Sequence, residues 1–152
     1  MAALIPVPEL HAKLDAFWVA VQALQPDSSD AEYAHMASFL APDAELFFSG
    51  VNQPAAHGRE GAAQQMRQMT AYWRLEERRV RSRAASADGR TLVAEMCNAL
   101  RIRGEPVELK ELEIVEFDGK GEGLIVSYRL YVDASPVREA LARAAGKGTS
   151  SA

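Results

Sequence analysis

Two glutamates with the spacing of same-face strand residues stand in the segment ELKELEIVEFDG, at Glu111 and Glu113. A carboxylate on a buried face is costly without a partner, and an apolar environment raises its pKa. A glutamic acid with a raised pKa can donate a proton to a carbonyl group or accept a proton from carbon. Glu113 is therefore the first candidate for acid–base chemistry, and Glu111 is a candidate second carboxylate.

The preceding hairpin indicates which face the glutamates share. A two-residue loop at Gly104-Glu105 pairs Asn98 with Glu111 and Met96 with Glu113. The other residues of this face are apolar: Ile102, Leu100, Val107, Leu109, Val115 and Phe117. We therefore expect an inward, cavity-lining face with a few polar groups, and a solvated opposite face.

Each candidate residue also has an explanation without chemistry. Glu113 could be neutralised by an arginine or reach water, and Glu111 could simply be the more exposed acid. Asn98 could orient a ligand carbonyl or only satisfy the acid. Tyr128 could offer its hydroxyl to a substrate oxygen or be a core aromatic residue. His57 precedes a helix start, where it is either an acid/base or a solvated loop residue.

Hydrophobic periodicity predicts the elements that position these residues. Helices are expected at about 8–25, 31–40, 59–72 and 136–145, and strands at 44–50, 73–84, 91–103, 106–117 and 123–132. Residues 51–58 read as a loop or a short hairpin arm. The helices are separate from a strand-rich second half, so the class is α+β. We expect one domain over residues 1–152, with an ordered core at about 9–145 and a flexible C-terminal tail.

Composition narrows the functional classes. A net charge of −4 argues against nucleic-acid binding, and the arginines of EERRVRSR are expected to spread over a strand surface. The single cysteine, Cys97, precludes an intrachain disulfide and suits a cytoplasmic location. We expect neither a signal peptide nor a membrane partner, because no suitable apolar run is present. No metal-ligand spacing or phosphate loop is seen, so metal and cofactor are predicted to be none.

Three segments carry a family resemblance: FLAPDAELFFSG, HGREGAAQQM and VEFDGKGEG followed by IVSYRLYVDASPV. Their order and spacing resemble the nuclear-transport-factor-2-like (NTF2-like) superfamily, and within it the SnoaL-like proteins. The resemblance covers about residues 10–141. It implies a strongly curved, mostly antiparallel sheet that wraps around the N-terminal helices as a cone with an internal pocket. Isomerases, dehydratases, epoxide hydrolases, cyclases and non-catalytic modules share this fold, so function must come from the site.

The family's functional positions match this sequence only in part. The base of the ketosteroid isomerases corresponds to Phe48, which cannot take a proton, whereas their oxyanion-hole acid corresponds to Glu113. The Asp-Arg-Asp set of the limonene epoxide hydrolases corresponds to Asn98, Met96 and Leu130, so that set is absent. The resemblance also turns Tyr128 and its strand neighbours of the same parity inward.

Two hypotheses follow. The first is a cofactor-independent isomerase- or cyclase-like enzyme that acts on a hydrophobic, carbonyl-bearing molecule of polyketide or terpenoid type. The second is a non-catalytic, dimeric small-molecule-binding module of the same fold. Under either hypothesis we expect a homodimer through the convex sheet face, where the apolar patch is Val93, Cys97, Leu112 and Ile114. The expected pocket lining is Phe17, Trp18, Met36, Phe48, Met66, Met69, Trp73, Met96, Leu100, Leu109, Val115, Val126 and Leu130.

Overall fold

The computed structural model describes residues 4–50, 53–119 and 121–149. The elements along these residues are α1 (Val7–Ala23), α2 (Asp30–Ala37), β1 (Leu40–Phe48), β2 (Ala56–His57), α3 (Gly58–Thr70), β3 (Trp73–Glu77), β4 (Val80–Ala85), β5 (Thr91–Ile102), β6 (Glu105–Phe117), β7 (Ile125–Val132) and α4 (Ser135–Thr149). No helix in the described part of the chain is both long and apolar enough to cross a membrane.

The strands form one strongly curled sheet in the order β2-β1-β7-β6-β5-β3, with β4 also paired to β5. The pairing is antiparallel except between β1 and β7, which are parallel. The sheet packs against α1, whose apolar residues recur at helical spacing and are buried: Leu10, Leu14, Phe17, Trp18 and Val21. The predicted α+β class with a curved sheet around the N-terminal helices is therefore confirmed.

The loop between β5 and β6 differs from its predicted position. Its two residues are Arg103 and Gly104, whose φ angles of 49° and 84° fit a type I′ turn. Ile102 consequently faces Glu105, and every pairing of the hairpin is shifted by two residues from the expected register. The predicted register is wrong because it placed the glycine first in the loop.

The predicted faces survive this correction because side chains alternate with a period of two. In the observed register Met96 lies opposite Glu111 and Ala94 opposite Glu113. Glu111 and Glu113 are buried, with exposed fractions of 8% and 1%, whereas Glu108 and its same-face neighbours lie towards solvent. The inward face of the hairpin is thus the one that the sequence indicates.

The predicted strand 73–84 is broken in the structure. Its register against β5 shifts between Leu75 and Glu77 and again between Val80 and Ser82, and β3 ends at Glu77 while β4 begins at Val80. The break turns Arg78 inward, where its side chain is only 13% exposed. The expectation that the arginines of this run all lie on the surface is therefore wrong for Arg78.

Other boundaries differ by a few residues. The first sheet strand begins at Leu40 instead of residue 44, because α2 ends earlier than predicted. Ala56–His57 forms the short hairpin arm, paired with β1, and residues 51–52 of that segment lie outside the described residues. The last helix continues to Thr149 rather than 145, and residues 150–152 of the predicted tail lie outside the described residues.

A glycine at the end of β1 makes a close approach that a side chain would obstruct. Gly50 has φ of +80°, and a Cβ placed there would lie 2.5 Å from the Ala134 Cβ. Gly104 has a similar φ of +84° with nothing within 4 Å of such a Cβ. We predict that Gly104→Ala destabilises the chain by about 1–2 kcal/mol through backbone strain alone. Gly50→Ala should cost about 1–3 kcal/mol more because of overpacking.

Urea unfolding of the two variants measures this difference. Equal losses in the free energy of unfolding would show that the contact between Gly50 and Ala134 relaxes without cost.

Candidate functional site

The concave side of the sheet encloses a cavity with helices α1, α3 and α4. Its polar lining residues include Arg78, Asn98, Glu111, Glu113 and Tyr128. The remaining lining is mostly apolar: Phe17, Val21, Leu46, Phe48, Met66, Met69, Tyr72, Trp73, Leu75, Leu109, Leu130, Val132, Ala134 and Val137, with Ser49 and Gly50. The cavity volume is about 90 Å³. A few polar groups thus converge in an apolar chamber, as in a small-molecule site.

Glu113 is 1% exposed and accepts hydrogen bonds from three parts of the fold. The indole Nε1 of Trp18 on α1 donates to Glu113 Oε2 at 2.7 Å. The hydroxyl of Tyr128 on β7 donates to Oε1, and Arg78 Nη1 lies 3.4 Å from the same oxygen. Burial raises the pKa of Glu113, while the Arg78 charge and the three donors act in the opposite direction. Both oxygens of Glu113 are therefore already engaged by protein groups.

Tyr128 remains a neutral donor to this carboxylate. Burial, and next the charge of Glu113, raise the pKa of its phenol well above the ordinary value. Its ring packs edge-on against Phe17 at a centroid distance of 5.5 Å, and the Phe48 ring lies 5.8 Å away. These apolar contacts fix the direction in which the hydroxyl points.

Glu111 differs from its neighbour in having an oxygen without a protein partner. Its Oε2 accepts a hydrogen bond from Asn98 Nδ2 at 2.8 Å, and no hydrogen bond from the described residues reaches Oε1. Burial, and then the charge of Glu113, raise the pKa of Glu111 to about 7. Glu111 can therefore exist in both protonation states near neutral pH.

Asn98 determines which oxygen of Glu111 carries the proton. The backbone N–H of Arg79 donates to Asn98 Oδ1 at 3.0 Å, so the amide nitrogen must be the group that faces Glu111. Because this nitrogen donates to Oε2, a proton on Glu111 belongs on Oε1. The Arg79 backbone at the strand break and Glu111 on β6 are thus connected through the side-chain amide of Asn98.

Arg78 supplies a positive charge that the sequence did not predict for the site. Its Nη1 lies 3.1 Å from Met96 Sδ as well as close to Glu113, and its Cζ lies 4.6 Å from the Trp18 ring centroid. The Arg78 Nε is buried and has no hydrogen-bond partner among the described residues. The sequence contains no signal for this placement, because the strand break depends on pairing with β5.

Seven of the predicted lining residues border the cavity: Phe17, Phe48, Met66, Met69, Trp73, Leu109 and Leu130. Trp18, Met36, Met96, Leu100 and Val115 do not, because they are packed in the core around it. Val126 is displaced to a groove on the convex side, since a register shift between Ile125 and Ser127 changes the parity of β7. These six lining predictions are therefore corrected.

The structure does not bring His57 to this site. His57 is exposed on the short edge strand β2, opposite the exposed Glu45, and does not line the cavity. Its position before α3 is as predicted, but the edge pairing directs it away from the chamber. Within residues 4–50, 53–119 and 121–149, no three His, Cys, Asp or Glu side chains are grouped to hold a metal ion.

No protein-family model matches the sequence, and no curated protein matches it significantly. A candidate isomerase from Bacillus subtilis has a TM-score of 0.75 at 18% identity, covering 91% of this chain and 96% of that chain. An LEH-like epoxide hydrolase of M. tuberculosis gives 0.64 at 20% identity, with 95% and 98% covered. An NTF2-like protein from Burkholderia xenovorans gives 0.66 at 13%, with 88% and 95% covered. The chain therefore has the predicted NTF2-like fold.

The raised pKa of Glu111 predicts a particular pH dependence of stability. Between about pH 4.5 and 7 the folded chain holds a proton on Glu111 that the unfolded chain has lost, so stability falls as pH rises. In Glu111→Gln this loss should be absent. The free energy of unfolding of the variant, relative to that of the native chain, should therefore rise by about 3 kcal/mol from pH 4 to pH 8. Urea unfolding across this range measures the difference.

Glu108→Gln, on the exposed side of the same strand, is the matched control and should show no such trend. A Glu111→Gln variant whose stability runs parallel to the native chain at every pH would contradict the raised pKa.

The indole hydrogen bond to Glu113 can be tested separately. Trp18→Phe removes the donor at 2.7 Å from a buried carboxylate oxygen and should destabilise the chain by about 1–3 kcal/mol. Trp73→Phe is the control, because Trp73 lines the cavity and its indole nitrogen has no hydrogen bond within the described residues. Chemical unfolding should show the larger loss for Trp18→Phe, and equal losses would argue that the hydrogen bond contributes nothing.

Proposed function

We propose that the chain is a cofactor-independent enzyme that moves a proton on a small, hydrophobic, carbonyl-bearing molecule, as an isomerase or a cyclase does. The observation that carries the proposal is Glu111, a buried acid with a pKa of about 7 and one oxygen without a protein partner. An acid whose pKa lies near the working pH is suited to take up and return a proton.

The contacts favour Glu111 over Glu113 as the group that exchanges a proton with the ligand. Both Glu113 oxygens accept hydrogen bonds from protein donors, whereas Glu111 Oε1 accepts none from the described residues. Glu113 then has two supporting functions: it holds Arg78, and its charge helps to raise the pKa of Glu111. The acid–base prediction for Glu113 itself stays a prediction.

A proton transfer can be written with the groups present. The ionised Oε1 of Glu111 takes a proton from a carbon next to the ligand carbonyl, and the electron pair of that C–H bond passes to the carbonyl oxygen as an enolate. The guanidinium group of Arg78, which lines the cavity, can donate a hydrogen bond to this oxygen. When a C=C bond of the ligand is conjugated with the enolate, Glu111 returns the proton to the far carbon of that bond, which completes an isomerisation. When the enolate carbon instead attacks a second carbonyl carbon of the ligand, the electron pair of that C=O bond passes to its oxygen, which takes the proton from Glu111, and the product is cyclic.

Charge and lining support an uncharged substrate. Arg78 and Glu113 form an ion pair, so the chamber has little net charge when Glu111 is protonated. Most of the wall is apolar, which favours a hydrophobic molecule of the polyketide or terpenoid type expected from the sequence. Two solved structures that share the fold are described as a candidate isomerase and as an LEH-like epoxide hydrolase, which supports the choice of a small-molecule enzyme.

A homodimer through the convex sheet face remains part of the proposal. Leu112 is 39% exposed and pairs directly with Tyr131, which is 42% exposed, so adjoining apolar surface faces outward. Val93 and Ile114 are half-buried beside it. Cys97 is only 5% exposed, because the strand break covers it, so it does not belong to this patch.

Hydrogen–deuterium exchange at the carbon next to a ketone tests the proton transfer with simple ketones in place of a specific substrate. We predict that the native chain accelerates this exchange for at least one member of a panel of small cyclic ketones in deuterium oxide, followed by NMR. Glu111→Gln should slow the exchange by about 100-fold or more, because the proton acceptor is lost. The rate in the native chain should rise with pH through about 7.

Two controls define the outcome. Glu108→Gln should leave exchange unchanged, while Glu113→Gln should move the pH midpoint downward because a charge that raises the pKa of Glu111 is gone. If a ketone binds the native chain and Glu111→Gln with equal affinity, and its hydrogen exchanges equally fast with both, the result favours the non-catalytic binding module.

A further inference from the structure

A second hollow shares two wall residues, Tyr72 and Trp73, with the central cavity. It is bordered by the end of α1, the end of α3, the start of β3 and the β5–β6 turn, and its lining residues are Leu24, Gln25, Pro26, Thr70, Ala71, Tyr72, Trp73, Arg74, Arg101, Arg103 and Gly104. The lining contains three arginines and no acidic residue, although the whole chain has a net charge of −4. We call it the arginine hollow.

Two of its arginines stand directly opposite each other on neighbouring strands. Arg74 on β3 pairs with Arg101 on β5, an arrangement of like charges that destabilises a sheet. Arg101 is partly compensated, since its Nε lies 2.6 Å from Glu76 Oε1. Arg74 has no ion pair or hydrogen bond from its side chain to any described residue. The sheet thus holds an unbalanced positive charge at the rim of a concave surface.

The third arginine occupies a backbone conformation that seldom suits its type. Arg103 is the first loop residue of the type I′ turn, with φ of 49°, where asparagine, aspartate or glycine is favoured. Its guanidinium likewise makes no hydrogen bond or ion pair with the described residues. The strained backbone therefore carries a charge that no described residue neutralises.

We propose that the arginine hollow binds a phosphate group. Guanidinium groups bind phosphate through paired, charge-assisted hydrogen bonds. Arg74 and Arg103 line the hollow without an ion pair to the described residues, beside Arg101, which Glu76 and the Gly104 carbonyl already engage. A bound phosphate would also relieve the repulsion between Arg74 and Arg101. Tyr72 and Trp73 offer an aromatic wall for the organic part of a phosphate ester. The proposal does not depend on the acid–base chemistry of Glu111, which lies outside this lining.

Calorimetric titration with inorganic phosphate and with phenyl phosphate tests the site. We expect saturable binding to one site per chain, weakened about tenfold or more in Arg74→Gln/Arg103→Asn. Asparagine is chosen at 103 because it tolerates the left-handed backbone. Tighter binding of phenyl phosphate would assign the hollow to a phosphate ester, and equal affinities would assign it to free phosphate.

Matched variants separate this site from general charge effects and from the proposed enzyme activity. Arg81→Gln removes an exposed arginine of β4, whose side chain also has no partner in the described residues, and should change phosphate affinity less than twofold. Glu111→Gln should leave phosphate binding intact. The phosphate site and the proton transfer by Glu111 can therefore each fail independently of the other. Binding that does not saturate, or that Arg81→Gln weakens as much as Arg74→Gln alone does, would overturn the proposal.

Discussion

The burial of two carboxylates on one face of β6 is the constraint around which the chamber is organised. Each buried charge must be paired, hydrogen-bonded or neutralised by a proton. Glu113 meets this requirement through donors from α1, β7 and the β3–β4 break, so that Trp18, Tyr128 and Arg78 all converge on one carboxylate. Glu111 meets it in part through Asn98 and in part by a pKa of about 7.

The same constraint gives two chemically identical side chains, Glu111 and Glu113, different surroundings. Burial raises the pKa of both acids. At Glu113 the Arg78 charge and three donors oppose that shift, whereas at Glu111 the charge of Glu113 adds to it. Unequal surroundings of two neighbouring carboxylic acids are typical of acid–base sites. The hydrogen bond from the Arg79 backbone fixes the orientation of the Asn98 amide, whose nitrogen donates to Glu111 Oε2. The proton of Glu111 therefore belongs on Oε1, which accepts no hydrogen bond from the described residues.

Features with local signals were predictable from the sequence, and features set by strand pairing were not. The inward face of β6 followed from alternation, and a register error of two residues did no harm because the side-chain period is two. Shifts by one residue do change a face, which is why the prediction for Val126 was wrong and why Arg78 was missed. Neither shift has a signature in composition, since each depends on how a strand pairs with its neighbour.

The central claim is that Glu111 keeps a proton near neutral pH, while Glu113 accepts hydrogen bonds from Trp18, Tyr128 and Arg78. The most direct measurement is an NMR titration of side-chain carboxyl carbons in ¹³C-labelled protein, with the Glu111 signal assigned by its loss in Glu111→Gln. The account predicts a Glu111 pKa of about 7 that falls when Glu113 is replaced by glutamine. A Glu111 signal that titrates near 4.5, the ordinary value for glutamate, would contradict it.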